Sequence, residues 1–166
     1  VTLCCQTGIA GLSIEDSTQD PTIPLYDFDL ALARVKAARA AIDRAGGDVI
    51  FTARSEGFIR GRPDLDETIR RLKAYAQAGA DCLYAPGLRT PEQISAVVAA
   101  VAPKPVNLLV GSASSLTVPA IAALPEGFEE HLAAIRSVGP EGAGNPKAAT
   151  AFQALSGSDA GALLPL

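Results

Sequence analysis

The sequence predicts an α/β fold built on a parallel sheet. Short apolar runs recur through the middle of the chain, and amphipathic segments with helical spacing separate them. Helix start and stop signals fall where the two textures meet. Strands alternating with helices of ~10–15 residues indicate βαβ units with right-handed crossovers. At 166 residues the chain can bury the core of one ordinary domain. It is short for a complete (β/α)₈ barrel, which takes ~250 residues.

Ile9 to Glu15 reads as the first strand, an apolar run ending in the adjacent acids Glu15 and Asp16. Asp27 to Ala45 is rich in Ala, Leu and Arg and reads as a helix that Gly46-Gly47 stops. Asp48 to Ala53 is the second strand. Asp64-Leu65-Asp66-Glu67 has the form of a capping box, and Ile69, Leu72, Tyr75 and Ala76 follow as an apolar stripe. Gly79 falls at the position of a helix C′ glycine. Asp81 to Ala85 is the third strand. Thr90-Pro91-Glu92-Gln93 starts another helix, with Ile94, Val97, Val98 and Val101 on its apolar face. Pro105 to Val110 is the fourth strand, and Thr117 to Leu124 reads as a short helix.

The texture then changes. The sequence predicts one domain over 1–124 and an atypical region over 125–166. In that region Pro125 to Ser137 forms one more amphipathic segment, and a Gly/Ala/Pro-rich, poorly ordered tail follows.

Composition narrows the function classes. Hydrophobic residues make up 48% and charged residues 19%, which is a globular balance. The net charge of -4 argues against a nucleic-acid binder, which needs a basic face. No run of ~18 apolar residues exists to span a membrane. The start, Val1 to Cys5, has no basic segment followed by a long apolar one, so no signal peptide is expected. Cys4, Cys5 and Cys82 have the spacing of neither a zinc site nor a disulfide framework. A reducing, cytoplasmic setting is the expectation.

Ligands of α/β folds bind at the carboxyl ends of the strands. Glu15 and Asp16 at such an end point to a metal-dependent site for an anion, and read equally as solvated charges or an N-cap pair. Arg54 lies at the end of the second strand and reads as an anion ligand or as a salt-bridge partner of Glu15 or Glu56. Asn107 is a polar residue in an apolar run; a structural hydrogen bond and a substrate contact are both open. Cys82 reads as a small buried hydrophobe, and Arg60, Arg62, Arg70 and Arg71 as a solvated face. His131 reads as a surface residue. Gly111-Ser112-Ala113-Ser114-Ser115 could bind an anion through backbone N–H groups but lacks a P-loop lysine.

At the strand ends the chain resembles the isocitrate lyase / phosphoenolpyruvate mutase superfamily. Gly8-Ile9-Ala10-Gly11-Leu12-Ser13-Ile14-Glu15-Asp16 is similar to its G-x-x-G-x-x-I-E-D strand, and Thr52-Ala53-Arg54-Ser55-Glu56 to its A-R-x-[DE] strand. Ala78-Gly79-Ala80-Asp81 and Pro105-Val106-Asn107 resemble its A-G-A-D and P-[VL]-N segments. The resemblance covers roughly residues 8–124 and, at Arg54 to Phe58, leans toward the phosphoenolpyruvate mutase branch.

It implies a partial (β/α)₈ TIM-type barrel that assembles as a homo-oligomer. It implies Mg²⁺-dependent lyase or mutase chemistry, breaking or rearranging C–C or P–C bonds of a small oxo- or hydroxy-carboxylate or phosphonate. Glu15 would belong to the magnesium shell through water, Arg54 would clamp the substrate anion, and Asn107 would donate a hydrogen bond to it.

The departures are specific. No D-x-D strand precedes Ile14-Glu15-Asp16. The K-K-C-G-H motif of the lyases is replaced by Ser17-Thr18-Gln19-Asp20-Pro21, and Ala85-Pro86-Gly87 stands where several members carry Glu. Truncation or a shifted reading frame is therefore expected at the ends. Two other readings stay open. One is a non-catalytic fragment that associates or aggregates through exposed sheet edges. The other is a doubly wound binding domain with a crevice at a strand-order reversal.

Overall fold

A computed structural model of the chain describes residues 1–109. A short helix, α1 (Thr2–Cys5), precedes β1 (Gly11–Glu15) and has no counterpart in the sequence reading. Then come α2 (Phe28–Arg44), β2 (Ile50–Arg54), a 3-10 turn (Gly57–Arg60), α3 (Leu65–Gln77), β3 (Cys82–Tyr84), α4 (Pro91–Val101) and β4 (Val106–Asn107). Leu108 and Leu109 lie beyond the last strand, so β4 is shorter than the Pro105–Val110 run. The elements expected at Thr117–Leu124 and Pro125–Ser137, Gly111–Ser115, His131, the tail and the boundary near Leu124 lie outside the described residues.

The four strands are parallel and stand in the order β1-β2-β3-β4. No reversal occurs among these four, so the crevice of the doubly wound reading has no place within the described residues. A crossover helix that always steps to the next strand gives a singly wound sheet, the arrangement from which (β/α) barrels are built.

Residue parity assigns the two faces of this sheet. Leu12, Ile14, Phe51, Ala53, Leu83 and Val106 occupy one face in register and pack into the core with Val35, Ala38, Ile42, Leu72, Tyr75 and Val97. Phe51, Leu72, Tyr75, Leu83 and Val97 are fully buried. Each such side chain contributes roughly 1.5–3 kcal/mol of burial free energy. The other face carries Ser13, Thr52 and Cys82, then Glu15, Arg54, Tyr84 and Asn107 one step nearer the carboxyl ends.

The helix signals are realised with one difference. Thr90 and Gln93 close a complete capping box, with Pro91 at the first helical position. At α3 only half the box forms. Asp64 accepts the Glu67 N–H at 2.9 Å, but the Glu67 carboxylate turns to Arg70 and Arg71, each at 2.7 Å. An ion pair within reach competes for the side chain a closed box would use. Gly79 follows the α3 C-cap at φ +98°, the left-handed region that favours glycine. No helix among the described residues is long and apolar enough to cross a membrane.

Candidate active site at the strand tips

Glu15, Arg54, Tyr84 and Asn107 form one row across all four strands. Backbone register pairs Glu15 with Arg54, Arg54 with Tyr84, and Tyr84 with Asn107. All four side chains therefore emerge on the same face, at the carboxyl ends. A shallow depression of about 340 Å³ opens there, lined by Ser13, Thr52, Arg54, Tyr84 and Asn107 among others.

Arg54 is the centre of the row. Its Nε and Nη2 donate to the Glu56 Oε1, both at 2.8 Å. Nη2 also lies 3.7 Å from the Glu15 Oε2. Its Cζ sits 4.9 Å from the centroid of the Tyr84 ring. The sequence reading left Arg54 as anion ligand or ion-pair partner of Glu15 or Glu56, and the structure brings both acids to it. Nη1 makes no hydrogen bond among the described residues, so one donor edge is left for an anion.

The three acids at these tips are not equivalent. Asp16 is 2% exposed and fully committed. Its Oδ1 accepts the Glu56 N–H at 2.8 Å, and its Oδ2 accepts the Tyr75 hydroxyl at 2.9 Å and Arg71 Nη1 at 3.2 Å. Asp16 thus ties β1 to the segment after β2 and to α3. Glu56 is 1% exposed, and burial raises its pKa against the opposing pull of Arg54. Glu15 is half-buried and accepts from Gln19 Nε2 at 3.1 Å.

Arg71 departs from the expected solvated face. It is buried beside Asp16, with Nε on Glu67 and Nη1 also on the Tyr26 carbonyl. The reason is helical spacing: Thr68, Arg71, Leu72 and Tyr75 share the buried side of α3. Asn107 departs in the other direction. The apolar run around it implied a buried amide, but it lies exposed on the open face. Cys82 is part-buried and burial raises its thiol pKa, as befits a small apolar residue.

A larger cavity, about 560 Å³, lies between the β1–α2 connection and the 3-10 turn. Ser55 lines it, and strand alternation turns Ser55 away from Arg54. Its acids, Asp64 and Glu67, are already bonded within α3. It is distinct from the strand-tip row.

The donor set limits what a metal could find here. Among the described residues no three His, Cys, Asp or Glu side chains converge. Glu15 is the one strand-tip acid that is neither buried nor fully bonded. It fits a water-mediated place in a magnesium shell, and its described neighbours add no second carboxylate free to bind the ion.

Sequence reasoning missed Tyr84 and the Asp16–Tyr75–Arg71 cluster. Tyr84 had a signal: it is the last aromatic of an apolar run at the end where Arg54 and Glu15 also stand. The Asp16 cluster had none, because its members are up to 59 positions apart.

A singly wound parallel sheet with Glu15, Arg54, Tyr84 and Asn107 in one row at its strand tips defines a (β/α)-barrel type of domain. Residues 1–126 match the phosphoenolpyruvate phosphomutase family, and the chain belongs to it, within the phosphoenolpyruvate mutase/isocitrate lyase superfamily. Over 124 residues it is 35% identical to an oxaloacetate decarboxylase of Paraburkholderia xenovorans (strain LB400), covering 69% of this chain and 38% of that protein. A candidate lyase/mutase of Burkholderia cenocepacia J2315 superposes with a TM-score of 0.69 at 34% identity, over 98% of this chain and 58% of that one. A phosphonopyruvate hydrolase solved with oxalate and Mg²⁺ superposes with a TM-score of 0.60 at 27% identity, over 97% of this chain and 57% of that one. The chain thus spans about two fifths of the curated relative and somewhat over half of each solved chain.

Proposed function

We propose that this chain carries the anion-binding half of an active site for lyase- or mutase-type chemistry on a small oxo- or hydroxy-carboxylate or phosphonate. The observation that carries the reading is the uncommitted donor edge of Arg54, held at the strand tips between Glu15 and Tyr84. Oxaloacetate and phosphonopyruvate, which figure in the names of two relatives, are substrates of the matching class.

In this reading Arg54 binds the carboxylate or phosphonate end of the substrate through Nη1 and the outer proton of Nη2. Asn107, exposed two strands away, donates its amide to a second substrate oxygen. Glu15 accepts from water in the shell of a bound Mg²⁺. The ion would supply charge neutralisation at an enolate-like oxygen. Buried Glu56 holds Arg54 from behind, so the guanidinium meets the anion already oriented.

Oxalate binding measured by calorimetry with Mg²⁺ present tests the reading, alongside turnover of oxaloacetate, methylisocitrate and phosphonopyruvate. Binding that Arg54→Ala abolishes supports it. Oxalate affinity indifferent to Arg54 removes it.

A second reading is favoured by the outer edge of β1, which has no strand partner among the described residues, and by Ile50, 54% exposed on the open face. In it the chain associates through its sheet rather than turning over substrate. Size-exclusion chromatography separates the two: a defined oxalate-binding species supports the first, and a non-binding aggregate the second.

A further inference from the structure

We infer that Tyr84 is a positioning residue for Arg54: its ring fixes where the guanidinium sits and so which edge meets the anion. The inference rests on the reading of Arg54 as the anion ligand.

Tyr84 ends β3 and is the register partner of both Arg54 on β2 and Asn107 on β4. It is 8% exposed, so the ring itself is held in place. The Arg54 Cζ lies over it at 4.9 Å from the centroid, within the range of a cation–π contact. Glu56 takes the opposite constraint, binding Nε and Nη2 along one edge. A bond to a single carboxylate oxygen still lets the guanidinium swing about that oxygen. The ring closes this freedom, because moving Arg54 off Tyr84 sacrifices the contact and lets water reach the pair. What remains open is the edge carrying Nη1, and Arg54 and Asn107 both line the depression.

A substrate spanning Arg54 and Asn107 crosses two strand spacings, roughly 10 Å between backbones, and passes over Tyr84. Tyr84 is nearly covered, so its part in that span is to hold Arg54 in place rather than to offer open surface.

The test uses the whole chain with oxalate as probe and the Arg54 Nε–H resonance as a spectroscopic marker. Tyr84→Leu is expected to weaken oxalate roughly three- to thirtyfold, the range a partly desolvated cation–π contact spans. The same change moves the Nε–H resonance out of the ring-current field of the aromatic. Tyr84→Phe, which keeps the ring, restores affinity and resonance position. Should Tyr84→Leu fail to fold, pentafluorophenylalanine at position 84 keeps the ring and reverses its quadrupole, and weakened oxalate binding is again expected.

An unmoved Nε–H resonance, or unchanged oxalate affinity in a folded Tyr84→Leu chain, overturns the proposal. Loss of the Arg54 reading shows separately, as oxalate binding that Arg54→Ala leaves intact.

Discussion

Arg54 and Glu56 meet at 2.8 Å beyond the tip of β2, with the carboxylate buried and the guanidinium about one quarter exposed. A buried carboxylate is costly unless it is paired and hydrogen-bonded, so each residue restrains the other. Removing Arg54 has two effects. If Arg54 clamps the anion, oxalate binding is expected to weaken about ten- to a hundredfold, the worth of one charge-assisted contact. Glu56 is also left buried without its partner, so Arg54→Ala lowers unfolding free energy by roughly 1–3 kcal/mol in urea titrations. Arg54→Lys keeps the charge but not the fork, and does not restore oxalate affinity. A lysine variant that binds as well as the native chain contradicts the clamp geometry.

Stability should vary with pH through Glu56. Burial raises its folded-state pKa above the usual glutamate value of 4.5, against the pull of Arg54. A group shifted upward favours its protonated form in the folded chain. Its contribution is fully present below about pH 4.5 and is lost as pH rises through the folded-state value. Glu67 behaves oppositely: its hydrogen bond from Arg70, then that from Arg71, lowers its pKa. Its contribution is present above pH 4.5 and is lost as pH falls through the lowered value. Glu56→Gln therefore flattens the stability profile above pH 4.5 and leaves the acid limb unchanged. Urea midpoints across pH 3–8 in both chains check this; a native profile unchanged by the substitution refutes the assignment to Glu56.

The order of elements was legible because it depends on local signals. Thr90, Pro91 and Gln93 carry a capping box within four residues, and Gly79 marks its helix end by backbone sterics alone. Glu15 and Arg54 were also legible as neighbours, since strand ends in a parallel sheet share one edge. The length of β4 was not legible, because the apolar run from Pro105 gives no sign that pairing stops at Asn107. Nor was the exposure of Asn107, because an apolar run does not say which face of its strand is covered. The division of labour between Glu15 and Asp16 was hidden for a different reason. Adjacent strand residues point to opposite faces, and the buried partners of Asp16, Arg71 and Tyr75, come from a distant helix.

Asp16 should therefore behave as a structural residue. It accepts three hydrogen bonds, and its removal strands the Tyr75 hydroxyl and the Glu56 N–H in the interior. Arg71 retains Glu67, which limits the loss. Asp16→Ala is expected to cost about 3 kcal/mol, the lower end for breaking a buried ion pair. Asp16→Asn keeps an acceptor and costs about half as much, by the scale of a single hydrogen bond to a charged group. Thermal and urea unfolding check both. An Asp16→Ala chain of native stability, deficient only in Mg²⁺-dependent oxalate binding, returns Asp16 to the metal site.

Asn107 separates the two roles that its sequence left open. A structural amide is buried and bonded, and its loss leaves partners unsatisfied. Asn107 instead is exposed on the open face, in register with Tyr84, and its side chain makes no hydrogen bond among the described residues. Asn107→Ala is accordingly expected to change unfolding free energy by less than about 0.5 kcal/mol, as surface substitutions do. If the amide donates to the bound anion, the same variant weakens oxalate roughly ten- to a hundredfold, the worth of one hydrogen bond to a charged group. The ratio of these effects is the informative quantity. A destabilised chain with native oxalate affinity assigns Asn107 to the scaffold, and a native-like chain with weakened affinity assigns it to the pocket that Arg54 and Tyr84 border.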